Sequence, residues 1–219
     1  MNYKINLAYS NDFSEKLMSS YIEGTQVKSW VNKLYYYVID SKYRTRARLD
    51  LFLKRQIDSY NPVLVSLAQS LCIYNSKGKL DPDKTIINIL CYVIDNFKYT
   101  EDIINFGRTE FWAEAWLTLQ GKKDDCDGMN GLIYVLGIFA GIPEMLLFCA
   151  IGDVWSLTGS GGHFWVNYWS VRYNKFVPID ATYYKTKLSI ESRPKLRFSE
   201  KRYQDIWYIF NHEFILKPE

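Results

Sequence analysis

Lys122-Lys123-Asp124-Asp125-Cys126-Asp127-Gly128-Met129-Asn130-Gly131-Leu132-Ile133-Tyr134-Val135-Leu136-Gly137-Ile138-Phe139-Ala140-Gly141-Ile142-Pro143 begins in charge and ends in apolar residues. Asp124 and Asp125 are candidate N-caps, and Met129, Leu132, Ile133, Leu136 and Ala140 recur at helical spacing. Gly141 stands at a natural C′ position with Pro143 beyond it. The stretch therefore predicts a helix with Cys126 in its first turn. A helix N-terminus favours an anion, and the thiolate is the nucleophilic form of cysteine. Asp124, Asp125 and Asp127 act the other way, raising a thiol pKa by repulsion unless their carboxylates are turned to caps, to Lys122 and Lys123, or to solvent.

Downstream, Thr158-Gly-Ser-Gly-Gly162 runs into His163-Phe-Trp-Val-Asn-Tyr-Trp169, glycine-rich and then aromatic and β-branched, which predicts a loop followed by a strand. His163, Trp165, Asn167 and Trp169 share one face of that strand and Phe164, Val166 and Tyr168 the other. Lys175-Phe-Val-Pro-Ile-Asp180-Ala reads as a second strand after a turn around Arg172 to Asn174. In a hairpin the midpoint between His163 and Asp180 falls at residue 171 or 172, so the two side chains become neighbours. A tight turn centred on Asn174 would instead bring Asp180 opposite a residue nearer Tyr168. A carboxylate against one imidazole nitrogen holds the ring and leaves the other for a thiol.

Phe111-Trp112-Ala-Glu-Ala-Trp-Leu-Thr118-Leu119-Gln-Gly-Lys-Lys-Asp-Asp-Cys126-Asp-Gly, then Gly141-Ile-Pro, Gly162-His-Phe-Trp-Val and Pro178-Ile-Asp-Ala-Thr, resemble the boxes of the transglutaminase-like cysteine-enzyme superfamily. The resemblance spans roughly residues 80 to 185, and the pattern is similar to phage-encoded members. The chain departs from the family in two ways: glycine is common there at the position of Asp124 or Asp125, and an acidic residue at Gly128. The resemblance implies an α+β, papain-like fold with a nucleophile helix packed on an antiparallel sheet. It also implies a Cys126, His163, Asp180 triad, with the Cys126 backbone N–H and the Trp112 indole N–H as oxyanion donors. Trp112 has a second reading, as a core aromatic on a helix face beside Phe111 and Trp116. Acyl transfer through a thioester follows, with water or an amine as acceptor. Hydrolysis of a protein or peptide substrate, by a peptidase or amidase, is the expectation; a cross-linking transglutaminase and a structural or virion scaffold with a vestigial site are the alternatives.

With 219 residues, 48% hydrophobic and 17% aromatic, the chain has the size of one domain. Residues 1–45 read as a tyrosine-rich N-terminal extension suited to docking on a larger assembly, and 46–219 as the transglutaminase-like domain. Twenty-seven basic against 24 acidic residues leave a net charge of +3, no footprint for nucleic acid or an anionic membrane. The basic runs Lys42 to Arg48 and Arg193 to Arg202 read as solvated faces. No targeting or spanning segment is visible, and the setting expected is cytoplasmic, in a host cell or virion if phage-encoded. Cys72, Cys91 and Cys149 read as core thiols without metal spacing. No cofactor or metal is expected, because no Asp-x-Asp-x-Asp-Gly run with a distant glutamate is present.

Helices are expected over Leu49 to Ile57, Val63 to Ile73 and from Pro82, capped by Asp81. A buried strand is expected over Met145 to Ile151, and a loop from Gly152 to Gly162 that gates the site. Lys185 to Arg202 reads as irregular, and Tyr203 to Leu216 as a strand or short helix. His212 is the rival catalytic histidine; without a following partner at suitable spacing, it reads as structural.

Overall fold

The computed structural model describes residues 49–156, 159–196, 203–213 and 215–216; the expected extension at 1–45 and the Lys42 to Arg48 run lie outside the described residues. Helices α1 (Leu49–Asp58), α2 (Pro62–Ser70), α3 (Pro82–Asn96), α4 (Asp102–Asn105) and α5 (Ala115–Gly121) precede α6 (Cys126–Phe139). Two short strands, β1 (Lys98–Tyr99) and β2 (Lys123–Asp124), pair in parallel and lead into α6. The main sheet contains β3 (Leu147–Ser156), β4 (Gly159–Ser170), β5 (Lys175–Ile179), β6 (Tyr203–Phe210) and β7 (Ile215–Leu216). Their order is β5-β4-β3-β6-β7, antiparallel at every pairing.

Helix α6 is apolar all round, which explains its place between the other helices and the sheet. Met129, Leu132, Ile133, Tyr134, Val135 and Leu136 are all buried there. Each large side chain withdrawn from water contributes about 1.5–3 kcal/mol. Gly137 permits close packing: a Cβ there would stand 2.7 Å from Leu147 Cδ1. Phe164, Val166 and Tyr168 of β4 face this core, while Trp165 joins Phe148, Ala150, Phe176 and Ile209 in a second core on the other side of the sheet. The two-residue period expected of the strand is therefore realised with both faces buried.

Helix α3 begins as its sequence predicts, with the Asp81 carboxylate accepting from Lys84 N–H and Pro82 in the first turn. Two expectations need correction. Gly152, Gly159, Gly161 and Gly162 are not in a loop: β3 and β4 pair from Leu147↔Tyr168 out to Ser156↔Gly159, so these glycines lie within paired strands. Cross-strand pairing overrides the weak strand preference of glycine. Arg193 is not part of a solvated face. Its side chain is buried, donating to the carbonyls of Pro178 at 2.9 Å, Leu188 at 3.1 Å and Thr186.

Candidate active site

The β4–β5 hairpin sets the first half of the site. Its register, Val166↔Ile179 through Ser170↔Lys175, centres the turn between Arg172 and Tyr173. Asn174 takes a left-handed φ of 47° in that turn. Continued past the strand end, this register sets Asp180 opposite Trp165, on His163's face and two residues away. The Asp180 carboxylate closes that gap: its Oδ2 lies 2.8 Å from His163 Nε2.

Asp180 is fully buried and held from every side. Oδ1 accepts from Thr182 N–H at 2.8 Å, Thr182 Oγ1 at 2.9 Å, Tyr183 N–H at 3.1 Å and Asn130 Nδ2 at 3.1 Å. Oδ2 also accepts from the Tyr203 hydroxyl at 2.6 Å. Burial pushes this carboxyl up, but the His163 charge and the donated hydrogen bonds outweigh it and hold Asp180 well below the usual range.

Cys126 opens α6, with Asp125 as N-cap accepting from Asp127 N–H at 3.2 Å. Asp124 is not the cap. It is fully buried, accepting from Thr118 Oγ1 at 2.6 Å and Asp125 N–H at 3.0 Å. Its carboxylate fills the space where a Gly128 Cβ would stand, 2.2 Å away. The two departures from the family pattern are thus linked, since an acid at 124 requires glycine at 128. Cys126 is partly exposed and free. Burial of its sulfur, then the charges of Asp125 and Asp127, push its pKa well up, opposed by the Phe164 backbone N–H directed at the sulfur. Helix α6 packs on β4, and Asn130 of α6 donates to Phe164 O, in the residue after His163.

Three participants were not legible in the sequence. Asn130, one helical turn after Cys126, is buried and donates to Phe164 O at 2.8 Å while accepting from Ala181 N–H at 2.9 Å. Tyr203 arrives from β6, 23 residues after Asp180. Asp102, on α4, lies with Asp124 and Asp125 so that one oxygen from each is within 4.8 Å of the others. Among the described residues Asp102 Oδ1 is buried without a partner, and so is Asp127 Oδ2. Burial and then the Asp125 charge push Asp102 up to about 6. Burial also pushes Asp127 well up, aided by the Asp125 hydrogen bond. Of the acids flanking the thiol, Asp125 is turned to the cap as expected and is partly exposed, whereas Asp124 and Asp127 are buried.

Trp112 lies ahead of α5 and not on a helix. Its ring packs edge-on against Phe52 and Phe164, at 5.8 and 5.5 Å between centroids, and its indole N–H donates to Glu110 Oε1 at 2.9 Å. His212 is remote in role: its Nδ1 lies 2.6 Å from the Tyr134 hydroxyl and its Nε2 3.2 Å from Glu144 Oε2.

No family model and no curated protein matches the chain by sequence. Solved structures are similar to it in fold. EGTA-treated LapG of Legionella pneumophila is 16% identical, covering 76% of this chain and 84% of that one with a TM-score of 0.52. Calcium-bound LapG is 16% identical, covers 76% and 88%, and gives a TM-score of 0.49. A provisionally assigned cysteine protease of Cytophaga hutchinsonii is 19% identical over 56% of this chain and 37% of that one, with a TM-score of 0.42. The fold is α+β, with a papain-like, transglutaminase-like core in which helix α6 packs on an antiparallel sheet.

Proposed function

We propose that the protein is a thiol-dependent acyl-transfer enzyme, a peptidase or amidase in which Cys126 is the nucleophile, His163 the proton carrier and Asp180 its anchor. The observation that carries this reading is the 2.8 Å contact of His163 Nε2 with the buried Asp180 carboxylate, on the strand against which the helix opened by Cys126 packs. Asp180, accepting only, keeps the proton on Nε2 and leaves Nδ1 to take the thiol proton. The sulfur attacks an amide carbonyl, and the oxyanion is met by the Cys126 backbone N–H, a contact worth about 3 kcal/mol per donor. Collapse breaks the C–N bond while His163 returns its proton to the leaving amine. Water then enters, gives a proton to His163 and cleaves the thioester. Trp112 joins as a second donor when its indole leaves Glu110. An amine in place of water makes the same site a transglutaminase, and an inert thiol leaves the scaffold reading.

The carboxylates beside Cys126 favour a further element of this reading, a hard divalent cation held by Asp102, Asp124 and Asp125. The donor set is all oxygen, and the orphaned, buried Asp102 Oδ1 supplies an unused lone pair. A bound cation would offset the negative charge that lifts the thiol pKa. The chain's local pattern hides this cluster because Asp102 lies 22 positions upstream of Asp124.

Iodoacetamide labelling of Cys126 against pH, read by mass spectrometry, tests both statements. Labelling well below the pH of an ordinary thiol, near 8.5, and loss of that advantage in His163→Ala support the triad. Equal labelling of parent and variant at the ordinary pH removes the enzyme reading. Calcium against EGTA tests the cation: faster labelling with calcium in the parent and none in Asp102→Asn supports it, and identical rates overturn it.

A further inference from the structure

Tyr203 comes from β6, and its hydroxyl shares one carboxylate oxygen of Asp180 with His163. We infer that Tyr203 is a positioning residue that sets the basicity of His163 through Asp180, an inference that rests on the triad reading above.

The proton inventory fixes the direction of every bond. Asp180 receives Thr182 N–H, Thr182 Oγ1, Tyr183 N–H and Asn130 Nδ2 on Oδ1, and Tyr203 and His163 on Oδ2. An ionised carboxylate has lone pairs and no proton to give, so the Tyr203 phenol donates and His163 Nε2 carries hydrogen. Two donors on one oxygen divide its charge. Each makes Oδ2 a weaker acceptor for the other, so Tyr203 lowers the preference of Asp180 for the charged imidazolium. His163 stays able to release its proton, as a group that first takes and then returns one must.

Packing gives Tyr203 a second hold on the ring. It lies 4.8 Å from Trp165 between centroids, and Trp165 stacks on His163 at 6.0 Å with 12° between planes. Tyr203 itself is 6.5 Å from the imidazole. The oxygen that receives Nε2 and the face along which the ring lies are thus fixed by one residue of β6. Another titratable group facing His163 is Tyr183, at 5.5 Å between rings. Across β3 its partner is Gly152, and Asp153 stands on the alternate face.

The test is nitrogen NMR of the imidazoles in the full chain, which has only two histidines to assign, His163 and His212. In the parent, neutral His163 should be the Nε2–H tautomer. Tyr203→Phe keeps the ring and removes the hydroxyl, and should raise the His163 pKa by roughly 0.5–1 unit while leaving His212 unmoved. A phenylalanine variant that loses melting temperature with His163 unmoved reduces Tyr203 to a structural residue and overturns the inference. So does an Nδ1–H tautomer in the parent. Iodoacetamide labelling separates the two readings: a shifted His163 beside an inert Cys126 sinks the enzyme and keeps the coupling, whereas a reactive Cys126 with an unmoved His163 does the reverse.

Discussion

Asn130 donates its amide to Asp180 Oδ1 at 3.1 Å, so the helix that carries Cys126 also grips the carboxylate that receives His163. The same side chain accepts from Ala181 N–H and donates to Phe164 O, tying α6 to β4 and to the segment after β5. Asn130→Ala leaves at least two buried backbone groups unpaired, and about 2–4 kcal/mol of stability should be lost. Asn130→Asp should be worse, since it sets a second carboxylate against Asp180. Urea unfolding of the three proteins checks the order; a native-like midpoint for either variant would refute it.

Asp102 predicts a pH dependence of definite sign. Its folded pKa is raised to about 6, chiefly by burial and then by Asp125, whereas an unfolded aspartate titrates near 3.9. The group therefore contributes stability that is fully present below about pH 4 and lost as the pH rises through about 6. After allowance for solvent screening the loss is roughly 1 kcal/mol. Asp102→Asn should flatten the unfolding free energy across that window and be the more stable form at pH 7. A slope equal to the parent's would show that Asp102 does not titrate there.

What the sequence disclosed and what it hid follow from the range of the interactions. Helix α6, the caps of α3 and the alternation of β4 rest on spacing within a few residues, and all were readable. The His163–Asp180 pairing was readable too, because one hairpin joins them. Asn130 was masked by its setting, one polar residue in an apolar helix, and its partners come from β4 and from beyond β5. Tyr203 and Asp102 reach the site by tertiary packing, with no periodic signal between them and Cys126. The expected gating loop was misread because glycine content was weighed ahead of the pairing capacity of Gly159 to Gly162 with Gly152 to Ser156.

Arg193 should prove one of the costliest side chains to remove. Its guanidinium bonds three backbone carbonyls, among them Pro178 O at 2.9 Å, two residues before Asp180. Its charge is also felt as an attraction across Tyr184, whose ring lies 5.6 Å from the guanidinium carbon. Arg193→Ala empties that volume and strands the carbonyls, at about 3–5 kcal/mol. Arg193→Lys should recover only part, because one ammonium cannot reproduce a planar fork. Thermal unfolding ranks the three; equal melting temperatures for lysine and arginine would show that charge alone suffices.

Gly128 and Asp124 give the sharpest coupling to test. A Cβ at 128 would lie 2.2 Å from Asp124 Cγ and 2.8 Å from its Cβ, so Gly128→Ala must displace a buried carboxylate from Thr118 and from Asp125 N–H. Overpacking of this kind costs about 1–3 kcal/mol, and the displaced carboxylate adds its own unmet bonds. The alanine preference for helix interiors, about 1 kcal/mol over glycine, works in the opposite sense and should not prevail. Asp124→Ala on its own strands the Thr118 hydroxyl and is destabilising as well. The double variant, however, removes the collision, so its loss should fall short of the two single losses added together by at least about 1 kcal/mol. Strict additivity in a double-mutant cycle would mean that Asp124 can leave its place without cost.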